Sequence, residues 1–334
     1  MSELSRRNLT WLCLLAIVFV VAPAFLAYFD QGYFYQLSTL ALIFALLAAS
    51  LHLVTGVSGL LHLGQAAFYG VGAYVAALLS INYEVPFSVG LPLAGLGAAA
   101  VAVLVALPTM RLVSIYFAVA TLAIGQMIYL VLLNWVGLTE GPNGLVLSSG
   151  IEFFGYDVGA RIGTYFVVAV IVLFSLWVIH RLTHSYYGNA LRALREDDQC
   201  ADAMGIDTVR LKVGIFAVSA FFAGIAGALW AYTTGYISPG DFNFANSILI
   251  LAMVVVGGLG SLPGAVIGAL LLILLPEALR GVGDFRNIMV GLTMFLVIVF
   301  VPKGLMGEVS ALAFFRSRFA SAWQGGGGGK VGWR

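Results

Sequence analysis

Long apolar runs separated by short polar segments make up most of the chain. A helix of about 20 apolar residues crosses the hydrocarbon core of a bilayer, and a helix satisfies every backbone hydrogen bond there. The runs therefore predict an all-α polytopic membrane helix bundle with about ten transmembrane helices. The predicted spans lie at about 11–29, 36–54, 65–80, 88–107, 115–135, 162–180, 209–235, 246–257, 264–280 and 287–302.

The composition agrees with an integral membrane protein. Hydrophobic residues make up 61% of the chain, charged residues 9%, and the mean hydropathy is +1.03. Soluble domains carry about 25% charged residues. We expect a cytoplasmic N-terminus at 1–10, one transmembrane domain at 11–306, and a flexible cytoplasmic tail at 307–334 that contains the glycines 325–329.

Lysine and arginine residues predict the orientation of the bundle. If the N-terminus is cytoplasmic, segments on that side hold all of the 16 Lys and Arg residues except Arg161, Arg280 and Arg286. Short cytoplasmic segments of membrane proteins carry an excess of these residues. Both termini and the polar segment 181–212 are therefore expected in the cytoplasm.

The polar segment 181–212 is dense in charge but locally neutral, because its basic and acidic residues are equal in number. This pattern favours docking to a protein over attraction to lipid headgroups, which a polybasic cluster would favour. Asn189 is predicted to cap a short amphipathic helix that ends at Gly205. Asp207 or Thr208 is predicted to cap the next membrane helix.

Glycines interrupt the helical pattern in TGVSGLLHLGQAAFYGVGAYVAALL, residues 55–79. Irregular backbone at bilayer depth is tolerated only against protein or a water-filled cavity, so the break indicates a substrate pathway. Interhelical hydrogen bonds and packing would explain the polar and aromatic candidates equally well. The candidate pathway residues are Gly59, Gly64, Gln65, Phe68, Thr121, Gln126 and Asn246.

No Asp, Glu, Lys or Arg is predicted in the middle of a span, whereas proton relays and ion-driven pumps need such residues. An ion-coupled secondary transporter is therefore disfavoured. His52 lies inside the second span, either as a functional group or as a neutral ring hydrogen-bonded to nearby backbone. No catalytic cluster shares a span, which argues against a membrane enzyme. A channel would not need the patterned segment 181–212.

Four motifs, in one order, resemble the branched-chain amino acid permease family of the LivM type. The first is the glycine-rich run at 55–79, in which His62 stands where the family pattern has Ser. The second is MRLVSIYFAVATLAIGQ at 110–126, with Ser114 at the usual Gly. The third is GNALRALREDDQCADAMGIDTVRLK at 188–212, which is similar to the cytoplasmic coupling loop of ABC importer permeases. The fourth is PGDFNFANSILILAMVVVGGLGSLPGAVIGA at 239–269.

The resemblance implies a type II importer-like fold with interrupted helices and a cytoplasmic coupling helix, and it makes 11–306 a permease domain. It also implies a function as the permease subunit of an ATP-binding cassette importer in the bacterial inner membrane. Leucine, isoleucine and valine would be the cargo, although similar permeases carry urea, short amides or other amino acids. The residues that the resemblance assigns to ATPase coupling are Leu191, Leu194, Arg195, Ala201, Met204, Gly205 and Ile206.

The resemblance further implies partners. These are two ATPase subunits, a sister permease of the LivH type, an extracytoplasmic solute-binding protein and the lipid bilayer, with no nucleic acid. ATP and Mg²⁺ would bind to the ATPases. No cofactor, metal ion or catalytic residue is expected in this chain.

Overall fold

A computed structural model describes residues 32–109, 114–147, 151–153, 156–157 and 161–278, together with the single positions 291, 295, 304 and 305. The predicted span 11–29, almost all of the span 287–302, the N-terminus 1–10 and the tail 307–334 lie outside these residues. The predictions for those segments are therefore not addressed by the structure.

Helices form nearly all of the described chain. They are, in order, α1 Gly32–His52, α2 Gln65–Tyr83, α3 Phe87–Thr109, α4 Ser114–Asn134, α5 Val136–Thr139, α6 Arg161–Thr183, α7 Tyr186–Glu196, α8 Asp198–Ala203, α9 Thr208–Thr234, α10 Phe244–Gly257 and α11 Leu262–Ala278.

Six of these helices are long and apolar enough to cross a membrane: α1, α2, α3, α4, α6 and α9. The apolar helices α10 and α11 are shorter, with 14 and 17 residues. Each predicted span from 36–54 to 264–280 corresponds to one of these helices. The prediction of an all-α polytopic bundle is therefore confirmed for the residues that the structure describes.

Helix α9 is the central packing element of the bundle. It packs most extensively against α3 and α2, and it also contacts α1, which in turn packs against α11, α6 and α10. The α2–α9 contact is made by small residues. A Cβ atom at Gly72 of α2 would overlap the Cα atom of Gly224, and one at Gly227 would overlap the carbonyl oxygen of Tyr69. Close backbone approach at small residues is the usual way for membrane helices to associate.

The predicted break after α1 is present. The α-helix continues as a π-helix over Leu53–Val57, and an irregular segment then leads to α2. Gly59 takes the left-handed backbone conformation, with φ of 73°, which ends the helix without the steric cost that a side chain would impose. π-Helical turns are rare and are often found at functional sites.

Short strands lie at the end of α9 that is remote from α7 and α8. Strand β1, Leu145–Val146, pairs antiparallel with β4, Tyr236–Ile237, directly after α9. A second pair consists of β2, Glu152–Phe153, and β3, Tyr156–Asp157. A 3₁₀ helix, Pro239–Phe242, then leads into α10. One end of the bundle therefore carries the strands, and the other carries the polar segment.

Candidate functional site

The polar segment 181–212 folds as two short helices, and not as the single helix that the sequence predicted. Helix α7 is capped by Ser185, whose Oγ accepts from the backbone N–H of Gly188 at 3.4 Å, so the prediction that Asn189 is the N-cap was wrong. The helix stops at Asp197, which is in extended conformation. The Asp197 carboxylate accepts from the backbone N–H groups of Gln199 and Cys200 and so caps α8.

Asp197 breaks the helix because its short side chain offers the backbone an alternative to helical hydrogen bonds. The N–H groups of Cys200 and Gln199 lower the pKa of the Asp197 carboxyl below its ordinary value, which keeps the cap charged. Two other predictions are confirmed. Gly205 has φ of 83°, and Asp207 caps α9 by accepting from the N–H of Arg210 at 3.0 Å.

The residues predicted to couple to an ATPase divide into two groups. Leu191, Leu194 and Ala201 are buried, so they seat the segment on the bundle. The side chain of Met204 is 83% exposed, and Arg195 and Gly205 are also exposed, whereas Ile206 is half-buried. Only the exposed group is available to a docking partner. Whether these residues contact an ATPase stays a prediction.

Two contacts that the sequence reasoning missed fix the segment to α9. The side chain of Lys212 is 8% exposed and forms an ion pair with Asp198 of α8. A lysine is almost never buried without a partner, so a lysine at the beginning of an apolar run was a signal for this pair. The hydroxyl of Tyr187 donates to the carbonyl of Leu211 at 3.0 Å, which joins α7 to the same helix.

The structure joins the polar segment to the helix break. The guanidinium of Arg195 donates from Nη1 to the carbonyl oxygen of Gly56 at 2.9 Å. A Cβ atom at Gly59 would lie 2.8 Å from Cγ of Arg195. Gly59, which the sequence assigned to the substrate pathway, therefore lies against the polar segment. A solvent-connected cavity of about 150 Å³ next to this contact is lined by His52, Thr183, His184, Arg192 and Arg195, among others.

Three other predicted pathway residues lie together where the break enters α2. The N–H of Leu63 donates to Oγ1 of Thr121 at 3.2 Å, and a Cβ atom at Gly64 would overlap the Thr121 carbonyl oxygen. Phe68 packs edge-on against Phe216 of α9, with ring centroids 5.3 Å apart. The break is thus held between α4 on one side and an aromatic cluster on the other.

Gln65 is the buried polar centre of the bundle. Its Nε2 donates to Oγ of Ser50 at 2.7 Å and lies 3.5 Å from Oγ of Ser219. The Ser219 hydroxyl in turn donates to the carbonyl of Ser50 at 2.6 Å. This network joins α1, α2 and α9. Its serines are common residues with no special spacing, so no pattern in the sequence indicated this network.

The other two predicted pathway residues lie on α4 and α10. Gln126 is exposed on α4, among apolar residues such as Met127 and Leu130. Asn246 lies in the first turn of α10, where its Nδ2 donates to the carbonyl of Asp241 at 2.6 Å, and the Oγ of the next residue, Ser247, accepts from the N–H of Ala66 at the start of α2 at 3.0 Å. The structure therefore brings Gly64, Gln65, Phe68 and Thr121 together, with the first turn of α10 beside them, whereas Gly59 lies against the polar segment and Gln126 is exposed. Their part in translocation stays a prediction.

The buried histidines differ from expectation. His52 is buried, and its Nδ1 has no hydrogen-bond partner among the described residues, so the predicted bond to nearby backbone is not formed at that atom. The ring instead packs against the Cα of Gly56. His62 stands within an aromatic cluster, and its ring centroid is 4.9 Å from that of Phe216. Both rings border the break.

The charged residues of the described spans lie at helix ends, as the sequence predicted. Arg181 lies at the end of α6, Arg210 and Lys212 in the first turn of α9, and Glu277 at the end of α11. Glu277 accepts a hydrogen bond from the hydroxyl of Tyr33 at 2.5 Å. The middle of each described span therefore carries no charged residue, and the buried Lys212 lies near the N-terminal end of α9 and is paired with Asp198.

Comparisons with known proteins agree with this architecture. The family described as "Branched-chain amino acid transport system / permease component" matches residues 33–302. The chain is 38% identical to the high-affinity branched-chain amino acid transport system permease protein LivM of Escherichia coli (strain K12), over 81% of this chain and 69% of that protein. LivM of Salmonella typhimurium is similar to the same extent. The E. coli permease protein LivH is 29% identical over 81% of this chain and 93% of its own length.

Proposed function

The chain belongs to the family of permease components of branched-chain amino acid transport systems, and from this premise we propose that it carries leucine, isoleucine and valine across the bacterial inner membrane as the permease subunit of an ABC importer. The observation that carries the proposal is the family match over residues 33–302, which includes both the helix break and the polar segment. The uncharged middle of the described spans suits a small zwitterion, and also a neutral solute such as urea or a short amide.

We propose further that two ATPase subunits bind ATP and Mg²⁺ and that the polar segment docks on them at the cytoplasmic face. Its exposed, locally neutral surface supports this docking. The similarity to both LivM and LivH supports a heterodimer with a sister permease of the LivH type. An extracytoplasmic solute-binding protein would deliver cargo at the strand-bearing end.

In this proposal, transport occurs by alternating access. Closure of the ATPases moves the polar segment, and the helices that it contacts then tilt to open the pathway to the other side. Nucleotide binding can shift this equilibrium only if the partners contact the two states differently. The seat formed by Leu191, Leu194 and the Lys212–Asp198 ion pair supports such a role, because it makes the segment move with the bundle.

Reconstitution tests the proposed function. Proteoliposomes that contain this chain, its sister permease and the ATPases should accumulate radiolabelled leucine when ATP and Mg²⁺ are inside and the solute-binding protein is outside. Vesicles without the ATPases are the control and should show no accumulation. Accumulation of a solute by this chain alone would contradict the proposal, and preferential uptake of urea or acetamide in a competition panel would correct the cargo.

Labelling of Cys200 tests the orientation. This thiol is exposed on α8, so a membrane-impermeant maleimide should label it in inverted vesicles but not in intact spheroplasts, both prepared without the ATPases. The experiment uses a Cys13→Ser background. Val146→Cys in a cysteine-free chain is the matched control, since Val146 is 67% exposed on β1 at the opposite end and should show the reverse pattern. Labelling of Cys200 from outside would refute the orientation.

A further inference from the structure

Arg195 is exposed on α7, but its guanidinium reaches back to the bundle. Helix α7 is an exposed amphipathic helix, yet the Arg195 guanidinium turns inward and donates to a carbonyl that is 139 positions away in sequence. Its aliphatic stem packs on Gly59, where a Cβ atom would lie 2.8 Å from Cγ. The side chain therefore contacts the helix break through both its charge and its stem.

The carbonyl that Arg195 binds is one that the helix end leaves free. The last carbonyls of a helix have no partner within the helix, and they form the negative end of its dipole. The carbonyl of Val54 accepts from the N–H of Leu60 at 3.2 Å and from Oγ of Ser58 at 2.7 Å. The carbonyl of Gly56 accepts from Arg195. A cation from α7 thus completes the C-terminal end of the π-helix.

The break leads directly from this contact to α4. Leu63 donates to Oγ1 of Thr121, and Gly64 packs on the α4 backbone, with its Cα 3.1 Å from the position that a Cβ of Gly125 would take. Helix α4 is the least enclosed of the six spanning helices. Only 22% of its apolar window is buried, compared with 89% for α1. Within this chain, α4 is therefore the spanning helix that the other helices hold least, and elements with few buried contacts open at low cost.

We propose that Arg195 is a positioning residue that transmits the displacement of α7 to α4 through the π-helix and the segment 58–64. This inference rests on the proposed importer function. It gives Arg195 a role within the permease, distinct from contact with an ATPase. The adjacent cavity, which His52 and His184 line, leaves room for the guanidinium and the break to move together.

Arg192 provides a matched control on the same helix. It lies one turn earlier and is also exposed, but its guanidinium binds close by: Nη2 donates to the carbonyl of Thr183 at 3.0 Å and Nη1 to Oδ1 of Asn189 at 3.3 Å. Within the described part of the chain, Arg192 makes no hydrogen bond to the break. Its replacement removes one arginine from the same helix as Arg195 without cutting the proposed connection.

The test uses the assembled complex of both permeases, the ATPases and the solute-binding protein. Arg195→Met should keep assembly and basal ATPase activity. It should lower the maximal stimulation of ATPase activity by solute-loaded binding protein about tenfold, which is the effect expected for loss of one charged hydrogen bond. The half-saturating concentration of binding protein should not change. Arg195→Lys should restore part of the stimulation, because lysine keeps the charge but not the planar donor geometry. Arg192→Met should resemble wild type.

A double-mutant cycle with Thr121→Val separates transmission from a local defect. Substitutions of residues that act through the same series of contacts have non-additive effects. Arg195→Met should therefore add little to the loss of ATPase stimulation that Thr121→Val causes. Additive losses, or equal behaviour of Arg195→Met and Arg192→Met, would overturn the proposal. If the complex with Arg195→Met does not assemble, the same cycle is measured with Arg195→Lys and Thr121→Val, and additive losses of stimulation would again overturn the proposal. A wild-type complex without solute-stimulated ATPase activity would instead contradict the proposed function.

Discussion

Replacing Gly64 with leucine should abolish solute uptake while leaving assembly with the ATPases intact. Any Cβ atom at this position overlaps the carbonyl oxygen of Thr121, which is a backbone atom and cannot rotate away. Helix α4 must therefore move outward or the break must rearrange. Overpacking of this kind costs about 1–3 kcal/mol, and a larger side chain against backbone lies at the upper end. The measurement is leucine uptake by proteoliposomes, with co-purification of the ATPases as the test of assembly.

Gly137→Leu is the control for this substitution. Gly137 lies in α5, and no heavy atom of the described residues lies within 4 Å of the position that its Cβ would take. The control chain gains the same side chain in open space, so its uptake should be close to that of the wild type. If Gly64→Leu also transports at the wild-type rate, then the contact between the break and α4 is not part of the pathway.

Replacing Gly227 with valine should prevent the bundle from folding correctly. A Cβ atom there would overlap the carbonyl oxygen of Tyr69 and lie 2.7 Å from the backbone N of Ala73. Since both neighbours belong to the α2 backbone, the central helix crossing must separate along its length. We expect a loss of about 3 kcal/mol or more in the free energy of unfolding, measured by thermal unfolding and gel filtration in detergent.

Gly97→Val is the control for this substitution, because the same side chain is added at a contact that can adjust. Among the described residues, the atoms nearest to a Cβ at Gly97 belong to the Val75 side chain, the closest at 3.1 Å, and that side chain can shift. Its loss of stability should therefore be much smaller than that of Gly227→Val. Equal unfolding temperatures for the two variants would show that the α2–α9 crossing tolerates expansion, against the packing described above.

The fold was predictable from sequence because bilayer thickness and hydrogen-bond satisfaction leave a long apolar run few alternatives. The ends of helices were predictable where one residue decides the outcome, as Gly205 and Asp207 do. The N-cap of α7 was not predictable. Both Ser185 and Asn189 have side chains that can cap a helix, and only the path of the chain after α6 selects Ser185. The four family motifs predicted the family, which the comparisons confirm.

The candidate site was predictable only in part, since its contacts join residues far apart in the chain. The periodicity of α7 places Leu191 and Leu194 on one face, but nothing in it shows that Arg195 binds Gly56. Similarly, the glycines at 56–64 indicate irregular backbone without showing which glycine faces α7 and which faces α4. Asn246 and Gln126 were placed in the pathway because they are polar within apolar runs, a property that surface and helix-end residues share.

The hydrogen bonds among Ser50, Gln65 and Ser219 restrict the kind of motion that the transporter can make. If α1 or α2 slid by one residue, about 1.5 Å, the Gln65 amide would lose the Ser50 hydroxyl, and if α9 slid, the Ser219 hydroxyl would lose the Ser50 carbonyl. A buried polar group without a partner is costly. Piston-like movement of a single helix is thus penalised. The three helices are expected to turn as one rigid block, so that access changes by rotation about a shared axis.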